Sequence, residues 1–161
     1  MKVIFLDFNG VLDTNIKMNE INYDNLQRLK RIVMETGAKI VISSSIKNSY
    51  YMTGVYSQML QMVLYRLISE GFDVVGMTKY LENRELEIAT YLMEHKDIEN
   101  YCIIDDDYDM ESMKEHMVKL PNQIENGQMG LDEYHTEMAI NILGRIPKEE
   151  KEMKLKLASK M

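Results

Sequence analysis

Carboxylates and hydroxyls recur in this chain directly after short apolar runs. Asp7 and Asn9 follow KVIFL, Ser43 to Ser45 follow KIVI, and Asp105 to Asp107 follow YCII. Taken singly, each group has an ordinary reading as a turn, a helix cap or a solvated acidic loop. On neighbouring parallel strands they would form one site rich in oxygen donors. Such a set suits a hard divalent cation such as Mg²⁺, which is held by one or two carboxylates together with substrate phosphate.

The elements that must position these groups can be read from apolar periodicity. Lys2 to Asp7, Lys39 to Ile42, Phe72 to Gly76, Tyr101 to Ile104 and Met117 to Leu120 have the length and branching of buried strands. Between them lie helical patterns. One runs from about Ile21 to Gly37, a second from Lys47 to Glu70 with a break near Gly54, and a third from Arg84 to His95. A short helix from about Met110 and a helix near Glu133 to Leu143 follow. Strands alternating with helices predict an α/β domain with a mainly parallel sheet and right-handed crossovers, in which ligands bind beyond the carboxyl ends of the strands.

The chain of 161 residues has room for one domain. We place it at residues 1–146, followed by a charged tail over 147–161 that is expected to be helical. No run approaches the ~18 apolar residues of a membrane span, and the lone Cys102 forms no internal disulfide. These features point to a cytoplasmic protein complete from Met1. The formal charge of −7 argues against strong nonspecific nucleic-acid binding. The tail carries five Lys and three Glu, so the body is more acidic than the total. The fifteen Met are read as filling irregular core gaps. His95, His116 and His135 have no metal-ligand spacing and are read as structural or exposed, and Tyr50, Tyr51 and Tyr56 as ordinary packing.

FLDFNGVLD (Phe5 to Asp13) resembles the first motif of the haloacid dehalogenase superfamily, a strand followed by DxDGV or DxDGT. The superfamily's later motifs follow in order: a strand ending in Ser (VISSS), a basic residue near a later helix (Arg84 in NRELEI, or Lys79) and a strand ending in acids (IIDDD). More narrowly, SSSIK, RELEIATYL, YCIIDDD and the later Gly130–Leu131 are similar to the phosphatase-like domains of RNA-repair proteins, which often show SSWR, RGxEIxxWL, DD and GLT. The resemblance spans roughly residues 2 to 143 and implies a three-layer Rossmann-like fold.

It further implies a Mg²⁺-dependent phosphomonoester phosphatase. Asp7 would be the nucleophile that forms an aspartyl phosphate. Ser43, with Ser44 as the fallback, would bind the phosphoryl oxygens, and Arg84, with Lys79 as runner-up, would offset the charge. Asp105 and Asp106 would hold the metal with the Asp7 carboxylate and the Asn9 carbonyl. The charge logic stands without the family, because a dianionic phosphate repels a carboxylate nucleophile unless cations offset it.

Asn9 departs from the pattern, since phosphatases of this superfamily carry an acid/base Asp there. An amide exchanges no proton near neutral pH, so turnover is expected to fall while metal and phosphate binding persist. Asn9 is read either as an engineered inactivation or as a natural one, with the intact remaining motifs favouring the first. Ile46 and Lys47 stand where relatives often have Trp and Arg. The intervals between motifs are too short for a cap domain, so an open site is expected. It would suit a polynucleotide end, a phosphoprotein or a sugar- or nucleotide-linked phosphate. A second reading is a catalytically silent module that binds a phosphorylated partner.

Overall fold

A computed structural model describes residues 1–107, 109–122, 129–145 and 156–160. Five strands form one sheet, β1 (Lys2–Leu6), β2 (Lys39–Ile42), β3 (Val74–Met77), β4 (Asn100–Asp105) and β5 (Met117–Lys119). Their order is β3-β2-β1-β4-β5 and every pairing is parallel. The helices are α1 (Tyr23–Thr36), α2 (Asn48–Thr53), α3 (Gln58–Ser69), α4 (Arg84–Glu94) and α5 (Glu133–Leu143). Two 3-10 segments, Ser45–Lys47 and Glu111–His116, complete the body.

Strand alternation divides the core in two. Ile4, Leu6, Ile40, Ile42, Cys102 and Ile104 pack with Leu26, Leu29 and Ile32 of α1, Leu60, Val63 and Leu67 of α3, and Ala139 and Ile142 of α5. Val3, Phe5, Val41 and Ile103 turn to the other face, against Ile88 and Tyr91 of α4 and Met110 and Met113. Phe5 meets Tyr91 and Tyr101 edge-on, each with ring centroids 5.7 Å apart. The result is the three-layer α/β arrangement expected from the strand and helix alternation. Each buried aliphatic or aromatic side chain contributes about 1.5–3 kcal/mol, which ties both helix layers to β1 at the centre.

The helix starts are fixed by side-chain caps. Asn22, Ser57, Asn83 and Asp132 accept from the backbone N–H of Asn25, Leu60, Leu86 and His135 at 2.8–3.1 Å. Such caps stabilise by about 1 kcal/mol each, and the Asn83 cap sets Arg84 as the first residue of α4. The expected break at Gly54 separates α2 from α3.

Some boundaries move. The expected strand over Phe72 to Gly76 is shifted to Val74–Met77, because the Phe72 N–H still closes the end of α3 on the Leu67 carbonyl at 3.0 Å, and the β2–β3 register shifts between Ile40 and Val41. The helix expected from Met110 is a 3-10 segment with non-helical backbone at Met113. Of the tail, residues 156–159 are helical and Lys160 is in a turn, and residues 147–155 and 161 lie outside the described residues. No described helix is long and apolar enough to cross a membrane.

The chain runs outward from β1 to β2 and β3, then returns past β1 to β4 and β5. The direction of winding therefore reverses between β1 and β4, which places a ligand-binding crevice at their carboxyl ends. The intervals before Ser43 and between Ser45 and Arg84 are occupied by α1, β2, α2, α3 and β3, and neither holds a second folded unit.

Candidate active site

The β1–β4 crevice gathers four of the residues singled out in the sequence. Asp7 extends β1 by one rung, with its N–H donating to the Ile104 carbonyl at 3.1 Å, and Asp105 closes β4. The buried carboxylates of Asp7, Asp105 and Asp106 each offer an oxygen within 4.8 Å of the others. Arg84, at the start of α4, donates from Nη1 to Asp105 Oδ2 at 2.6 Å and lies 3.8 Å from Asp7 Oδ1. Both sides of these contacts are buried, where a charge without its counterion is costly.

One guanidinium serves both Asp7 and Asp105, and crowding of buried carboxylates shows in the titration of Asp7 and Asp106. Burial, then the Asp105 charge, holds the Asp7 carboxyl well above the usual carboxylate range, with Arg84 pulling the other way. Burial and Asp105 also push Asp106 up to about 6. Carboxylates that resist ionising together are relieved by a cation among them. The all-oxygen donor set fits a hard divalent ion.

The loop after Asp7 is shaped for this approach. Gly10 has φ +81°, and a Cβ there would fall 1.8 Å from Asp106 Oδ2, so only glycine admits the carboxylate. Asp13 anchors the turn, accepting from the N–H groups of Gly10 at 2.7 Å and Asn19 at 2.8 Å. Asn9 Nδ2 donates to Asp13 Oδ2 and to Asn19 Oδ1, both at 2.8 Å. Both partners are acceptors. The amide nitrogen thus supplies two donors to the turn, which a carboxylate at the same position would not.

Ser43 continues β2, donating its N–H to the Leu6 carbonyl at 3.0 Å, and its Oγ is buried with no hydrogen-bond partner among the described residues. Ser44 instead caps the Ser45–Lys47 turn, accepting from Ile46 N–H at 3.4 Å. Lys79 is not brought to the cluster, since its exposed ammonium pairs with Glu94 at 2.8 Å. A small cavity of about 160 Å³ opens over the site, lined by Asp7, Asn9, Ser45, Arg84, Asp106, Asp107 and Asn122.

In the sequence, Lys47 stands out only as a departure from the family pattern, and Glu87 and Asp13 do not stand out as site residues. Lys47 Nζ donates to Glu87 Oε1 at 2.9 Å, with both side chains buried. Glu87 Oε2 accepts from Leu81 N–H at 3.0 Å, and its Oε1 lies 4.0 Å from Arg84 Nε. Burial lowers the Lys47 pKa while Glu87 opposes the shift. The pair thereby latches the β2 loop to the first turn of α4, the turn that carries Arg84. The usable signal was the three-residue spacing of Arg84 and Glu87, which puts both on one helix face. For Asp13 it was an acid four residues beyond Asn9.

No curated protein and no solved structure matches the chain. A family profile does, over residues 3–136, which takes in every residue of the cluster. With the parallel three-layer fold and the carboxylates at the β1–β4 crevice, that match shows that the chain belongs to the family described as the HAD domain in Swiss Army Knife RNA repair proteins.

Proposed function

We propose that the domain is a Mg²⁺-dependent phosphomonoester phosphatase working through an aspartyl phosphate on Asp7. The observation that carries this reading is the convergence of Arg84 on both Asp7 and Asp105 within the three-carboxylate cluster. Asp7, Asp105 and Asp106, with the Asn9 carbonyl, are the groups that would hold the ion. When bound, the ion supplies positive charge to the phosphoryl oxygens and offsets the repulsion of the nucleophile. The unpartnered Ser43 hydroxyl would donate to a phosphoryl oxygen, and Arg84 would take the charge shared by phosphate and Asp7.

An Asp7 oxygen attacks phosphorus, the P–O bond to the leaving group breaks, and the leaving group departs with that electron pair. Asn9 gives it no proton. Leaving groups that are stable as anions are therefore favoured over alkoxides in this first step. Water then attacks phosphorus, the bond from phosphorus to the Asp7 oxygen breaks to free the carboxylate, and the water's proton passes to the phosphate or to solvent, without a general base at position 9. Phosphorylated nucleotides or polynucleotide ends are the substrates the family's description suggests.

The test is a rapid-mixing assay with p-nitrophenyl phosphate. A Mg²⁺-dependent burst near one equivalent of nitrophenolate, followed by slow turnover and absent in Asp7→Asn, is the expected outcome. Absence of both burst and turnover would refute the catalytic reading. The engagement of Asn9 with Asp13 and Asn19 supports a second reading. In it the module binds a phosphorylated partner without turnover, and phosphate binding without a burst identifies it.

A further inference from the structure

A second cavity adjoins the phosphoryl site. It measures about 320 Å³ and is lined by Ser45, Asn48, Tyr80, Glu82, Arg84 and Glu87. Ser45 and Arg84 line both cavities, so the ester oxygen of a phosphate seated at Asp7 has this space next to it. Resting on the phosphatase reading, we propose that this cavity is the leaving-group subsite and takes a single hydroxylated ring, a sugar or a nucleoside, rather than a polynucleotide end.

The lining supplies the chemistry for such a ring. Half-buried Tyr80 offers an aromatic wall for a sugar or base. Asn48 Oδ1 accepts from Lys47 Nζ at 3.3 Å, which orients the amide and leaves its NH₂ as the donor for a ligand. The Glu87 oxygens already receive Lys47 Nζ and the Leu81 N–H. Glu82, at the exposed rim, is thus the carboxylate for ring hydroxyls, the role an acidic residue plays towards ribose in dinucleotide sites. Its φ of +62° is rare for a non-glycine residue, and such conformations cluster at ligand sites. The volume is at the low end for small-molecule pockets, enough for a compact ligand.

Charge excludes the longer substrate. A polynucleotide needs a basic track for its successive phosphates. Among the described residues, the only cation lining either cavity is the buried Arg84, while Glu82 and Asp107 stand exposed at the rims. Lys47 is buried against Glu87, and Lys79 is paired with Glu94. The next phosphate of a chain would meet carboxylates.

Calorimetric titration of the full chain in MgCl₂ with inorganic phosphate, ribose 5-phosphate, adenosine 5′-monophosphate and a 5′-phosphorylated oligoribonucleotide tests this. Ring monophosphates should bind about tenfold more tightly than inorganic phosphate. Tyr80→Ala and Glu82→Gln should each remove most of that advantage while phosphate itself binds as before. The ratio of the ribose to the adenosine compound separates sugar from nucleoside. An oligonucleotide that outbinds the monophosphates, a ring that gives no advantage, or variants that lose none of it would overturn the proposal. If inorganic phosphate itself fails to bind, the phosphoryl-site reading falls first and takes this one with it.

Discussion

Replacing Asn9 by Asp should raise activity and lower stability at the same time. A carboxyl at this position can supply and accept the protons that the amide cannot, and general acid/base catalysis contributes about 10²- to 10⁴-fold. Mg²⁺-dependent hydrolysis of alkyl phosphates should therefore rise by about two orders of magnitude or more. The same change deletes the donor that reaches Asp13 Oδ2 at 2.8 Å. Asp13 is fully buried, and a hydrogen bond to a charged group contributes about 1.5–3 kcal/mol. A second carboxylate against the first adds repulsion, whereas the solvent-exposed contact with Asn19 adds little. We expect a loss of about 2–4 kcal/mol at neutral pH.

The pH dependence fixes the cause of that loss. Facing Asp13, the new carboxyl would have a folded-state pKa raised above its unfolded value. The penalty is then small in acid, where the pair shares a proton, and full once pH passes the folded value. Urea denaturation of both proteins at pH 5 and pH 7.5, alongside phosphate-ester assays, reads both effects. Equal stability of the two proteins at pH 7.5 would refute the role given to the Asn9–Asp13 contact. Absence of activity against a broad ester panel would remove most of the support for catalysis.

Asp106 titrates near 6 in the folded protein against 3.8 for an ordinary Asp, so its contribution is favourable below 3.8 and is lost as pH rises through about 6. Metal-free protein should lose thermal stability across that interval, and MgCl₂ should restore most above pH 6, as differential scanning calorimetry would show. A magnesium-induced shift independent of pH would contradict the assignment. For the buried pair, Lys47→Met or Glu87→Met alone should cost about 3–5 kcal/mol, and the double substitution far less than their sum. Additive losses in urea titrations would show that the two charges are not coupled.

Much of the fold was legible because buried parallel strands read as short apolar runs closed by polar residues. KVIFL, KIVI and YCII could hardly be anything else, and Gly54 marked the break between α2 and α3. The edge strand β3 was less legible, because its ladder includes a register shift that leaves no trace in local pattern. At the site, the residues ending strands were visible for the same reason the strands were. The choice between Arg84 and Lys79 was not. Both follow β3, and only helix capping at Asn83 and the packing of α4 on the sheet turn Arg84 inward while Lys79 pairs with Glu94 in solvent.

By itself, then, the sequence determined which groups stand at the carboxyl ends of β1, β2 and β4, since strand period and chain order are local properties. The tertiary structure decided what those groups meet. Lys47 and Glu87 are 40 residues apart and Arg84 and Asp105 are 21 apart, and each pair forms only when the crossovers close. Asn9 looked like a bare deletion of an acid until the loop folded back and set its amide against Asp13 and Asn19. Charge pairing in a buried crevice depends on distances that chain order does not encode, and those distances set the chemistry available there.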